Sequence, residues 1–225
     1  MDLQNLLTRE QQIKFELWKE FYEEAPKAYN FIVGEQHQMP KTIANNKANV
    51  MVDGVYYKYA DGSFELFDYT VQNKPTKDVV GIAVHYSEIA LVVTLKDKGD
   101  FTLVNNDEEH DDISFDRFFE KYDDAVQDSD GLINTEYIKQ IGTDIPLGDN
   151  EWIPSVRELY IMFLNKRSIN AALKLAGGEE LCGWYWSSTQ NDATLAWLLD
   201  FSDGALSWGT KATISLHVRA VSAIL

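Results

Sequence analysis

Apolar residues recur along this chain with different spacings, and each spacing predicts a different element. Between residues 9 and 29, Ile13, Leu17 and Phe21 return every four positions while Glu10, Lys14, Glu20 and Glu24 take other faces, the pattern of an amphipathic helix that Pro26 ends or kinks. A leading helix of this kind either docks on its own domain or associates with copies of itself. From about residue 50 the pattern becomes alternation: 52–59 and 64–70 flank the turn pair Asp61-Gly62 and predict a hairpin. The polar connector 73–77 (NKPTK) is the expected domain boundary. Beyond it, the β-branched runs 79–84 and 89–95 predict a second, buried hairpin at the centre of the main domain.

Helical spacing then returns. Phe115, Phe118, Phe119 and Tyr122 give residues 114–124 an apolar side, and a second helix is expected near Asn134, carrying Ile138 and Ile141 up to Gly142. Ser155 and Glu158 form a Ser-x-x-Glu capping box behind Pro154 and open a helix bearing Leu159, Met162 and Phe163. Residues 168–176 continue as a helix that Gly177-Gly178 stops. Alternation resumes at Trp184, Trp186 and Ser188, and the two indoles suit a buried strand face or stacking on a sugar. In strand 196–201, Trp197, Leu199 and Phe201 are expected inward, with Leu198 and Asp200 outward. Hairpins, helices, then strands is an α+β order.

Composition removes several functions. With 225 residues and 45% hydrophobic content the chain can bury a genuine core. A net charge of −16 disfavours nucleic acid and anionic membrane surfaces as partners, because phosphate binding needs clustered Lys and Arg. Eleven acidic residues against Arg117 and Lys121 give the segment 107–130 a charge of −9, which reads as a solvated acidic face or as a calcium site. Asp128, Asp130 and Gly131 fit positions 3, 5 and 6 of an EF-hand loop, but Val126 and Tyr137 stand where a carboxylate is needed, so no metal site is expected. Cys182 is the only cysteine, which leaves no disulfide, zinc cluster or redox pair within one chain. His37, His85, His110 and His217 have no ligand or nucleophile spacing, Ser187-Ser188 lacks the nucleophile elbow, and no Gly-rich phosphate loop follows a strand. No cofactor is expected. The first 30 residues have no leader pattern and no apolar run is long enough to span a bilayer, so no membrane insertion is expected and a cytoplasmic or phage-virion location fits.

An ordered set of short segments carries a resemblance: Tyr57-x-Tyr59-Ala60-Asp61-Gly62-Ser63, Val80 to Val84, Ala90 to Asp97, Asp130-Gly131 with Asn134-Thr135, Trp152 to Ser155 with Glu158-Leu159, and Tyr185 to Thr189. Over about residues 55–225 the chain resembles the C-type lectin fold of formylglycine-generating enzymes and of the variable proteins of diversity-generating retroelements. That resemblance implies an α+β, C-type lectin-like ligand-binding domain at 74–225 with a variable C-terminal region at about 186–217. Residues 1–73, a small N-terminal helix-plus-hairpin region, would serve attachment or oligomerisation.

The resemblance also implies a division of labour. Trp186, Ser187, Ser188, Ala196, Trp197, Phe201, Gly204, Lys211, Val218 and Arg219 would be frame. Asn191, Asp192, Thr194, Leu198, Asp200, Ser202, Asp203, Ala205, Ser207, Trp208, Thr210, Thr213, Ser215 and His217 would be diversified contacts. The single cysteine departs from the oxidase pattern, and the sugar-reading Glu-Pro-Asn, Gln-Pro-Asp and Trp-Asn-Asp tripeptides are absent. The expected function is non-enzymatic recognition of a protein or glycan ligand on a cell surface, as in phage receptor binding or adhesion, with a homo-oligomer open. Two alternatives stand beside it: an enzyme of the same fold with a site in the aromatic C-terminal region, and a passive structural virion or fimbrial component.

Overall fold

The computed structural model describes residues 51–106 and 117–224, all within one compact unit. The helix expected over 9–29 lies outside the described residues. Alternation from residue 54 onward builds a meander of β1 (Gly54–Tyr59), β2 (Phe64–Leu66), β3 (Val79–Tyr86) and β4 (Ile89–Val93). Gly62 turns the first hairpin at φ +82°, and Ser87 the β3–β4 hairpin at +54°. β1 lies between β2 and β3, so the first hairpin is built into the main sheet and the chain does not divide at 73–74. The connector 73–77 is bound down: the Tyr57 hydroxyl donates to the Asn73 carbonyl at 2.8 Å and the Thr76 amide donates to the Tyr59 hydroxyl at 3.0 Å.

Among the described residues, four helices follow: α1 (Tyr122–Ala125), α2 (Gly131–Ile141), α3 (Val156–Leu164) and α4 (Lys166–Leu175). The capping box on α3 is formed as expected, with Glu158 N–H donating to Ser155 Oγ and Ser155 N–H to the Glu158 carboxylate. α4 closes in a Schellman motif: Gly178 N–H bonds to Leu173 O at 2.8 Å and Gly177, at φ +74°, bonds to Lys174 O. The helix expected over 114–124 is formed only at its end, in α1; its first residues, 114–116, lie outside the described residues. Residues 117–121 run extended, because Phe119 N–H donates to Gln190 O at 2.9 Å and its carbonyl accepts the Trp197 indole N–H at 2.7 Å. Sheet contacts take the aromatics that a helix face was expected to use.

The remaining strands are β5 (Gly99–Phe101), β6 (Glu151–Trp152), β7 (Trp184–Gln190), β8 (Leu195–Asp200), β9 (Leu206–Thr210), β10 (Leu216–Val218) and β11 (Val221–Ala223). They complete two open sheets, ordered β2-β1-β3-β4-β11-β6 and β5-β10-β7-β8-β9; the β10–β7 pairing is parallel and every other strand pair is antiparallel. The class is therefore mixed α+β with short helices. Two cores flank the second sheet. Tyr185, Leu199 and Phe201 join Ile82, Val93, Leu159, Met162 and Leu173 on one side. Trp186, Leu198 and Val218 join Leu103, Ile138 and Ile153 on the other. Neighbours along β7 and β8 point to opposite faces, and both faces are covered.

Candidate functional site

Beneath the C-terminal strands lies a buried polar network. The Asp128 carboxylate, 3% exposed, accepts Asn134 Nδ2 and Thr189 Oγ1 at 2.7 Å each, with the Asp130 amide and the Arg117 guanidinium at 3.2 Å. Arg117 also bonds Asp130, so both carboxylates of the EF-hand-like stretch are paired with the cation of one guanidinium. Glu158 accepts the Ser155 amide at 2.7 Å and Trp152 Nε1 at 3.3 Å; burial pushes its pKa from 4.5 to about 7 against these hydrogen bonds. Asn134 Oδ1 and Gln190 Nε2 are buried without a hydrogen-bond partner. The network ties α2, the start of α3 and the end of β7 into one unit.

Two buried cations fix the strands beyond it. Lys211 Nζ donates to Gln190 Oε1 at 2.6 Å and to the Asp192 carbonyl at 3.4 Å. Arg219, fully buried, donates to Asp97 Oδ1 at 2.6 Å and to the carbonyls of Thr94 and Glu179 at 2.9 Å each. The Tyr185 hydroxyl donates to the same Asp97, and burial pushes its pKa upward.

The fourteen expected contacts separate into groups on this scaffold. Asn191, Asp192 and Thr194 form the β7–β8 turn and meet the end of β9, where Lys211 N–H bonds to Thr194 O at 2.9 Å and the hydroxyls of Thr210 and Thr213 bond each other. Thr194, Thr213 and Ser215 are exposed there. At the other end of the β8–β9 hairpin, Asp200, Ser202, Asp203 and Ala205 share the tight turn after β8, with Ser202, Asp203 and Ala205 exposed. Trp208 stands on β9 between these ends, 56% exposed, and half-buried Ser207 is beside it. His217 lies on β10, separated from β9 by β7 and β8, and its imidazole pairs with Asp100.

Leu198 corrects the expectation of an outward residue: it is 7% exposed, in the core beneath Ile214 and Trp186. The prediction assumed a sheet with one wet face, whereas this sheet is covered on both. Phe119, Tyr122 and Ile214, which the sequence reading did not single out as contacts, border the same region. Tyr122 and Ile214 are exposed, and the Tyr122 hydroxyl is 2.8 Å from that of Tyr160. Only the sheet pairing reveals these neighbours, since Phe119 and Trp197 are 78 residues apart in sequence.

No group of three or more His, Cys, Asp or Glu is arranged to hold a metal among the described residues, and Cys182 is exposed and free. His85 pairs with Asp53 on the first sheet, and His217 with Asp100 on the second. Among the described residues, no helix is long and apolar enough to cross a membrane.

No family model and no curated protein matches this sequence. A solved structure described as a fimbrial protein from Bacteroides ovatus shares the fold, with a TM-score of 0.55 and 19% identity over 77% of this chain. The match covers 49% of that protein, so this chain spans about half its length. At this identity the likeness shows the fold alone. It overturns the resemblance to the C-type lectin fold and to retroelement variable proteins: the solved architecture that this chain shares is a fimbrial protein's. Trp152 to Ser155 ends β6 and caps α3, and Tyr185 to Thr189 is the buried body of β7, roles that many α+β folds need.

Proposed function

We propose that the chain is a non-enzymatic component of a bacterial surface fibre or adhesion apparatus, working through protein–protein contacts. The shared fold with the Bacteroides ovatus fimbrial protein is the observation that carries this reading. The buried polar side chains support it, because Asp128, Glu158, Lys211 and Arg219 are engaged in holding strands and helix caps together. Of the fourteen candidate contacts, Thr194, Ser202, Asp203, Ala205, Trp208, Thr213 and Ser215 have the exposure such contacts require. The attachment role expected of the N-terminal segment belongs to the same reading. Immunogold labelling of intact source cells with antibodies against this chain is expected to decorate extracellular fibres. Label confined to the cell interior would overturn the proposal.

A further inference from the structure

β9 ends the second sheet, and no described residue pairs along its outer edge. Lys211 N–H bonds to Thr194 O and Asp200 N–H to Ala205 O, which fixes the parity of the ladder. Residues 205, 207, 209 and 211 turn their backbone groups toward β8, and the amides and carbonyls of Leu206 and Trp208 point away from it. Thr210 O accepts Ile214 N–H at 3.2 Å, so the open stretch stops there. One face of β9 is closed as well: a Cβ on Gly209 would lie 2.9 Å from Ile214 Cδ1. What remains open is the edge and the exposed Trp208 ring, held edge-on against Trp197. A bare edge of this kind is a template for another strand.

Charge selects the occupant. Asp200 and Asp203 flank one end of β9, and Asp192 sits in the turn that meets the other. Each accepts backbone N–H groups at Oδ1: Asp192 from Thr194 and Leu195, Asp200 from Ser202, Asp203 from Ala205. Between residues 191 and 217 the only Lys or Arg is Lys211, which is 2% exposed and directed to Gln190; from α4, Lys166 brings its ammonium to the Phe201 carbonyl in the turn between Asp200 and Asp203. A second copy of a chain carrying −16 would bring the same acidic turns against these, which disfavours self-pairing.

We infer that the free edge of β9 receives an extended, Lys- or Arg-bearing segment of a different polypeptide, paired as a sixth strand with Trp208 as its apolar anchor. This names the kind of partner for the contact role proposed above and rests on that reading's premise that the chain works through protein contacts. Alternate residues of the added strand lie beside Trp208, and its cations reach the aspartates at both ends of β9. Such pairing weakens as salt screens the charges.

Binding to the purified full chain tests this with nine-residue peptides that alternate Lys with Thr or Val, set against twins with Glu in place of Lys. The Lys peptide is expected to bind and the Glu twin not to. Two further Lys peptides carry N-methyl groups on one or the other alternate set of amides, which leaves the protein untouched. One set is expected to abolish binding and the other to preserve it, the signature of a strand ladder; Trp208→Ala weakens binding by about tenfold. Equal binding of both methylated peptides, equal binding of the Glu twin, or no binding in the millimolar range overturns the inference. A sedimenting dimer that Trp208→Lys separates would assign the edge to a second copy and also overturn it. These outcomes do not depend on where the protein resides, so the immunogold result and the peptide result can fail separately.

Discussion

The Trp208 ring stands edge-on to Trp197, with centroids 5.7 Å apart at 74°, directly opposite it across the β8–β9 ladder. The two indoles have different tasks. Trp197 is 3% exposed, packs with Ala125 and Val156, and donates its N–H to Phe119 O, whereas Trp208 is 56% exposed. Trp197→Ala is expected to cost about 3–5 kcal/mol and Trp208→Ala less than about 1 kcal/mol. Urea denaturation of the two variants checks this; equal losses would make Trp208 a core residue and remove it from any contact role.

Leu198 and Thr213 were expected to play the same part, and the structure separates them. Leu198→Ala opens a cavity among Trp186, Ile214 and Val218 and is expected to cost about 2–4 kcal/mol. Thr213→Ala, at an exposed position, should stay within about 0.5 kcal/mol. Thermal melts decide the point: a neutral Leu198→Ala would put that side chain back on the surface.

Glu158 makes stability depend on pH. Its pKa rises from 4.5 to about 7, so the folded protein holds this proton more tightly than the unfolded chain. The contribution is therefore fully present below about pH 4.5 and is lost as pH rises through about 7, a change of about 3 kcal/mol. Glu158→Gln keeps an acceptor for the Ser155 amide and for Trp152 Nε1 while removing the titration. Comparing urea midpoints of wild type and variant at about pH 5 and about pH 8 should show a smaller fall in the variant. An unchanged fall would trace the pH dependence to other groups.

Asp97 neutralises Arg219 and accepts the Tyr185 hydroxyl. Asp97→Ala leaves a fully buried guanidinium without its carboxylate and is expected to cost about 3–5 kcal/mol. Asp61→Ala, which breaks the exposed pair with Lys77, should cost far less, because solvent screens both charges. Chemical denaturation of the two variants measures the contrast, and similar losses would contradict the burial difference.

Local signals in the sequence located much of the frame. Ser155 with Glu158 opened α3, Gly177-Gly178 closed α4, Asp61-Gly62 turned the first hairpin, and Trp197, Leu199 and Phe201 shared a buried face, because each feature depends on residues a few positions apart. Readings that depended on distant partners failed. Residues 117–121 have helical spacing, yet Gln190 and Trp197, some seventy residues away, hold them extended. Leu198 alternates as an outward residue should, but α2 and the 211–215 turn cover the second face of its sheet. The surface around Trp208 was legible as a tryptophan among small polar residues; that its backbone lies on an open edge follows only from strand order.

β10 joins β5 to β7, and β11 joins β4 to β6, pairs of strands that are not otherwise hydrogen-bonded neighbours. Neither sheet can therefore close until residues 216–223 have emerged from the ribosome, long after the meander at 54–93 has been made. The early strands must wait with open rims, the state most exposed to aggregation during synthesis. Shielding of the nascent chain is thus needed most up to the moment these last two short strands dock.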